Sequence, residues 1–152
     1  MSWKVDQRGY FQRRRALKTL APGGWLNDLV IAFVLEELAM RAPPDVALLE
    51  PQPVFTAAML QDPNALKDML SFPRAPGATP LATTLAAAKL VIMPVNNNDD
   101  AEQAGGGSHW SLLAYRRRAG DTPSRFEHYD SCSRANAEQA RAIAKCFIPL
   151  LQ

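Results

Sequence analysis

The apolar positions of the chain change their spacing along its length, and each spacing predicts a different element. In residues 29–40 apolar side chains recur three and four positions apart, which is typical of a helix with one buried face. Asn27 or Asp28 can cap the start of this helix, because short polar side chains bond the free N–H groups of a first turn. Pro43 and Pro44 then end it, since proline cannot continue a helix.

Further helices are predicted in two places. Residues 48–72 are interpreted as two short helices, the second of which begins at Asp62-Pro63, with the aspartate as cap and the proline in the first turn. Half of residues 73–80 are Pro or Gly, which predicts a linker. In residues 135–150 the apolar side chains fall on one side of a last helix, on which Cys146 is also placed.

Three apolar runs predict strands. Residues 89–95 are almost continuously apolar, as in a buried strand, and residues 110–115 and 125–130 are joined by a turn-rich stretch. The polar, glycine-rich residues 96–108 form a long loop between the first two runs, and long loops on rigid strands often carry function. The pattern predicts a small, mainly antiparallel, three-stranded sheet with flanking helices.

His109 and Asp130 stand at the matched ends of two of these strands. Pairing them across an antiparallel hairpin centres its turn near Gly120, inside the turn-rich residues 116–124. Their Cβ atoms would then lie roughly 5 Å apart. A carboxylate at that distance orients an imidazole, selects one tautomer and makes it a better base. The spacing therefore predicts a catalytic dyad.

The chain offers no obvious nucleophile for this histidine. Ser108 and Ser111 are too close to His109 along the strand to reach the free ring nitrogen in an attack geometry. Cys132 lies on the wrong side of the pair, and Cys146 falls in the apolar stripe of the last helix.

Composition bounds the class of protein. A length of 152 residues with 47% apolar content is that of one soluble domain with a real core, and no run is long enough to cross a membrane. The first residues do not resemble a secretory signal, so a reducing location and two free thiols are expected. Residues 1–24 carry six Lys or Arg against one Asp and are interpreted as a basic, flexible leader; nucleic-acid binding is not expected.

Four motifs, in order and spacing, resemble the ubiquitin-like-protein-specific cysteine proteases, which include the SUMO proteases and the deneddylases. They are Trp25-Leu26-Asn27-Asp28, the strand and loop at 90–107, His109-Trp110-Ser111-Leu112-Leu113 and His128-Tyr129-Asp130-Ser131. Residues 131–136 and the loop before His109 are similar to the deneddylase branch. The resemblance covers about residues 25–148, implies a truncated papain-like α+β fold and identifies residues 25–152 as a partial protease domain.

The resemblance also implies roles for five residues. His109 would be the general base and Asp130 its orienter, while Trp25 and Trp110 would flank a narrow tunnel for the Gly-Gly tail of a ubiquitin-like modifier. Asp28 would bind a basic side chain or the backbone of that tail. Each role has a structural alternative: the tryptophans as core or rim residues, Asp28 as a helix cap, and the dyad as a structural pair.

The chain departs from the family at its nucleophile, in the region before Trp25, and in residues 72–88, which are more numerous than the family pattern leads us to expect. The family's oxyanion-hole glutamine and its Asp-Cys-Gly nucleophile follow the last helix, and no nucleophile is assigned in these 152 residues. A cysteine peptidase of a ubiquitin-like modifier, inactive as this isolated chain, is therefore expected, in the cytoplasm, the nucleus or both. The alternative is a non-catalytic module that binds the modifier. Neither interpretation requires a cofactor, a metal or a membrane.

Overall fold

The computed structural model describes residues 16–100, 102 and 107–151, in which nine elements are labelled, five helices and four strands. In chain order the elements are α1 (Asp28–Ala39), β1 (Val46–Leu48), α2 (Pro51–Leu60), α3 (Pro63–Ser71), α4 (Leu81–Ala87), β2 (Leu90–Asn96), β3 (Trp110–Arg116), β4 (Arg125–Tyr129) and α5 (Ala137–Leu151). Residues 1–15 of the predicted leader lie outside the described residues, so its flexibility stays a prediction.

The sheet has four strands in the order β1, β2, β3, β4. Strands β2, β3 and β4 form an antiparallel meander, as the sequence predicts. The prediction of only three strands is wrong, because the three residues of β1 add a parallel edge by pairing with the start of β2. The fold is therefore α+β with a mixed, mainly antiparallel sheet.

Local chemistry explains where the helices begin. The Asn27 side chain accepts a hydrogen bond from the Val30 N–H and caps α1. Asp62 does the same for α3, whose first residue is Pro63. Helix α4, which the sequence pattern does not predict, fills part of the connection between α3 and β2. No helix within the described ranges is both long and apolar enough to cross a bilayer.

One face of the sheet forms the core. Helices α2 and α5 pack on this face, and α3 and α4 pack against α5. The fully buried side chains at its centre are Val91, Met93, Val95, Ile143 and Phe147. On the opposite face Leu90, Ile92 and Leu112 are only half-buried. The odd-numbered side chains of β3 lie on the face that the helices cover. The side chains of the residues directly before β3 follow the same alternation.

Candidate functional site

His109 and Asp130 contact each other beside the end of the β3–β4 pair. His109 immediately precedes β3 and Asp130 immediately follows β4. The His109 Nε2 atom lies 2.6 Å from Asp130 Oδ1, and the two side chains are 17% and 4% exposed. The predicted contact is confirmed.

The strand register that produces this contact differs from the predicted one. Leu112 pairs with Tyr129 and Leu113 with His128, and continuing this register places Ser111, not His109, opposite Asp130. The predicted register is thus wrong by two residues. Because side chains alternate between faces with a period of two, a two-residue shift leaves His109 on the same face as Asp130, diagonally across the pair. The contact survives for that reason.

Asp130 is held as an anion by three donors. Its Oδ2 accepts the main-chain N–H of Asn136 at 3.0 Å, and its Oδ1 accepts the main-chain N–H of Cys132 at 2.9 Å as well as the contact from His109. The N–H groups of Asn136 and Cys132 and the His109 ring lower the pKa of Asp130 to about 2, against the opposing effect of burial. An ionised carboxylate only accepts hydrogen bonds, so Nε2 carries the proton and His109 Nδ1 is the free base.

Asn136, which the sequence analysis does not single out, is the structural centre of the site. Within the described part of the chain it is the only polar or charged residue that is buried as a whole, main chain and side chain together. Its Nδ2 donates to the Ser111 hydroxyl at 2.8 Å and to the main-chain carbonyls of Val95 at 3.1 Å and His109 at 3.3 Å. The only signal of this role in the sequence is a short polar residue placed directly before an apolar helix.

The loop before His109 is closed at its base by two asparagines that sequence reasoning also misses. Asn97 Oδ1 accepts the N–H groups of Ser108 and His109 at 2.7 and 3.0 Å. Gly107 has a φ of +84°, and a Cβ at this position would overlap the Asn96 side chain. The run of asparagines after a buried strand is a turn signal, but it does not reveal which backbone groups the side chains bind.

The second histidine forms a separate pair. Ser111 Oγ lies 2.9 Å from His128 Nε2 and also accepts a hydrogen bond from Asn136 Nδ2. His128 is half-buried.

The two tryptophans differ in their exposure and in their contacts. Trp110 is half-buried, and its indole Nε1 donates to the Leu26 carbonyl at 2.7 Å, so the segment before α1 is held against the start of β3. Trp25, one residue before Leu26, is 67% exposed. Asp28 is the exposed first residue of α1, whose cap is Asn27. The tunnel itself and the role of Asp28 stay predictions.

Neither cysteine contacts the His109 ring. Cys132 is exposed, and its N–H bonds Asp130. Cys146 is buried on α5, where its thiol lies 3.5 Å from the Ala57 carbonyl and burial raises the pKa of the thiol. Over the described ranges, no group of three or more His, Cys, Asp or Glu side chains is arranged to hold a metal ion.

Comparison with known proteins gives two relatives and no matching family model. NEDD8-specific protease 1 of Arabidopsis thaliana is 34% identical over 140 residues, which cover 91% of this chain and 56% of that protein. The probable sentrin-specific protease 8 of Dictyostelium discoideum is 30% identical over 142 residues, which cover 89% of this chain and 53% of the relative. The chain spans about half the length of the curated relatives it matches.

Proposed function

The chain belongs to the family of ubiquitin-like-protein-specific proteases, in its deneddylase branch, and we propose that it carries the base, the orienter and the tail-binding residues of a cysteine peptidase. The substrate is a ubiquitin-like modifier, of the NEDD8 type or of the SUMO type, or one of its conjugates, cleaved after the C-terminal Gly-Gly. The α+β sheet and helices are then part of a papain-like domain, at work in the cytoplasm, the nucleus or both.

The observation that carries this proposal is the 2.6 Å contact between His109 Nε2 and Asp130 Oδ1. It leaves Nδ1 as the nitrogen that takes a proton. A thiol that gives its proton to Nδ1 becomes a thiolate, which attacks the carbonyl carbon of the terminal glycine. The leaving amine takes the proton from His109 as the carbon–nitrogen bond breaks, and a thioester remains. Water, deprotonated by His109, then hydrolyses the thioester and releases the modifier and the thiol.

Recognition of the diglycine is assigned to Trp25, Trp110 and Asp28. The Trp110 indole donates to the carbonyl of Leu26, which lies two residues before Asp28 in the chain. This contact supports a site in which the two tryptophans and the Asp28 carboxylate act together beside His109. A tail without side chains passes between two indoles where any larger residue clashes, so the site selects Gly-Gly by exclusion. Asp28 is exposed and ready to bind a basic side chain or an N–H of the tail.

Calorimetric titration with a modifier ending in Gly-Gly tests recognition. We expect Trp110→Ala to weaken binding by roughly 2 kcal/mol or more, as for an aromatic hot spot. Phe72→Ala, which removes a 73% exposed aromatic side chain from the segment after α3, is the matched control and should bind as the parent does. A modifier shortened by its two glycines should bind neither protein. Equal affinity of the parent and Trp110→Ala would contradict the proposal.

A modifier carrying a C-terminal vinyl sulfone tests where the nucleophile lies. Since neither Cys132 nor Cys146 contacts the His109 ring, we expect no specific labelling of either thiol in this chain. Labelling of one cysteine that is lost in His109→Ala would show that the chain holds its own nucleophile. Binding of the modifier without labelling also fits a second candidate function, that of a non-catalytic module that binds the modifier. The position of both cysteines away from the His109 ring favours this second function.

A further inference from the structure

One buried asparagine contacts both members of the dyad through different groups. Its side chain reaches the His109 carbonyl, and its main-chain N–H reaches Asp130 Oδ2. The two N–H groups of Nδ2 are shared among the His109 carbonyl, the Val95 carbonyl and the Ser111 hydroxyl, so Asn136 is joined to β2, to β3 and to the residue after β4. No other described residue makes bonds to both His109 and Asp130 from a fully buried position.

The orientation of the Asn136 amide follows from its acceptors. Two of the three groups facing Nδ2 are main-chain carbonyls, which cannot donate, so the amide must present its N–H groups to them. Its Oδ1 is buried and has no hydrogen-bond partner within the described part of the chain. Burying an amide oxygen in this way is unfavourable, and the three donor contacts of the same side chain offset it.

The loop between Asp130 and Asn136 holds a backbone conformation that its residues rarely adopt. Ser133 and Arg134 have φ values of +41° and +72°, in the left-handed region that favours glycine. This pair of residues turns the chain so that the N–H groups of Cys132 and Asn136 both converge on the Asp130 carboxylate. Such strain persists only where surrounding contacts fix both ends of the loop. The Asn136 side chain fixes the second end.

We propose that Asn136 is the positioning residue of the His109–Asp130 pair. Its side chain fixes residue 136 against β2 and β3, which places the main-chain N–H of Asn136 at Asp130 Oδ2. The other carboxylate oxygen, Asp130 Oδ1, is thereby turned towards His109 Nε2. The same side chain holds the His109 carbonyl, so the base and its orienter are set by one residue. This role rests on the proposed function, because it matters only if the dyad is the catalytic base and its orienter.

The test is the exchange rate of the His109 Nε2 proton, followed by imidazole ¹H–¹⁵N spectroscopy on the chain without any modifier. In the parent this proton is hydrogen-bonded to Asp130 and exchanges slowly. Asn136→Ala should accelerate its exchange by at least about tenfold, as loss of a charge-assisted bond does. Asn136→Asp, which has the same shape but a carboxylate in place of the donors, should do the same.

Tyr115→Phe is the matched control, because it also removes one buried bond, from the Tyr115 hydroxyl to the Leu151 carbonyl, at the other end of β3. It should leave the His109 proton unchanged. A folded Asn136→Ala or Asn136→Asp with the parent exchange rate would overturn the positioning role, as would equal acceleration in Tyr115→Phe. Absence of a protected Nε2 proton in the parent would instead refute the dyad, and with it the proposed function.

Discussion

Replacing Gly107 by alanine should destabilise the protein more than the same change at Gly77. Both glycines have left-handed backbones, with φ of +84° and +79°. A Cβ at Gly77 would meet nothing within 4 Å, whereas a Cβ at Gly107 would overlap Asn96 Oδ1. The two positions therefore share the conformational cost and differ only in the contact.

The difference between the two losses in the free energy of unfolding follows from the hydrogen bond that Asn96 must lose. The left-handed conformation costs an alanine roughly 1–2 kcal/mol, so this is the expected loss at Gly77. At Gly107 the Asn96 side chain must also rotate away and lose its 2.7 Å bond from the Asn98 N–H. A partly exposed bond of this kind adds about 0.5–1.5 kcal/mol, which brings the expected loss at Gly107 to about 1.5–3.5 kcal/mol.

Urea unfolding at constant pH measures both free energies of unfolding, provided that the transitions are two-state. The same pair should be repeated in an Asn96→Ala background, where the overlap is gone and the additional cost at Gly107 should disappear. Equal losses at Gly77 and Gly107, or a Gly107 cost that Asn96→Ala does not reduce, would refute the reasoning.

Three further predictions concern acid stability, thiol reactivity and the core. The pKa values of Asp130 and Glu127 are both lowered to about 2, the latter mainly by bonds from Arg116 and then Arg125, so their contribution to stability is complete above their unfolded pKa values. It should be lost as the pH falls from about 4.5 towards 2, and urea midpoints that stay constant across that range would contradict this. Cys132 should react with a thiol reagent in the native protein while Cys146 reacts only on unfolding, and simultaneous reaction of both would show that α5 is not docked. Phe147→Ala, at a fully buried position of α5, should lower the free energy of unfolding by about 3–5 kcal/mol, and a loss below 1 kcal/mol in urea unfolding would place that helix outside the core.

The elements whose ends are set by local chemistry are predictable from the sequence. Asn27 and Asp62 cap helices α1 and α3 through bonds within their own first turns, and these helices begin where the pattern places them. Strand β1 is different, because three residues become a strand only by pairing with β2, more distant in the chain. Helix α4 is seven residues long, too short to show a periodicity of its own.

The same distinction applies to the site. The contact of His109 with Asp130 is predictable because it needs only that both residues share one face of a hairpin, and an error of two residues in register preserves that condition. Asn136 is not predictable in this way, because its partners include two main-chain carbonyls, one on β2 and one directly before β3. Pairing of β2 with β3 brings those carbonyls together, and Asn136 reaches them only when the segment before α5 lies against the sheet.

The separation along the chain of the residues at the site has a consequence for the order of folding. His109 and Asp130 are 21 residues apart and joined by one hairpin, whereas Trp110 and Leu26 are 84 residues apart. Hairpins form in about 1–10 μs, and contacts of long sequence separation wait for larger loops to close. Pulsed hydrogen exchange during refolding should therefore protect the amides of β3 and β4 before those of α1. The base and its orienter meet early, and the segment that carries Trp25 and Asp28 docks last.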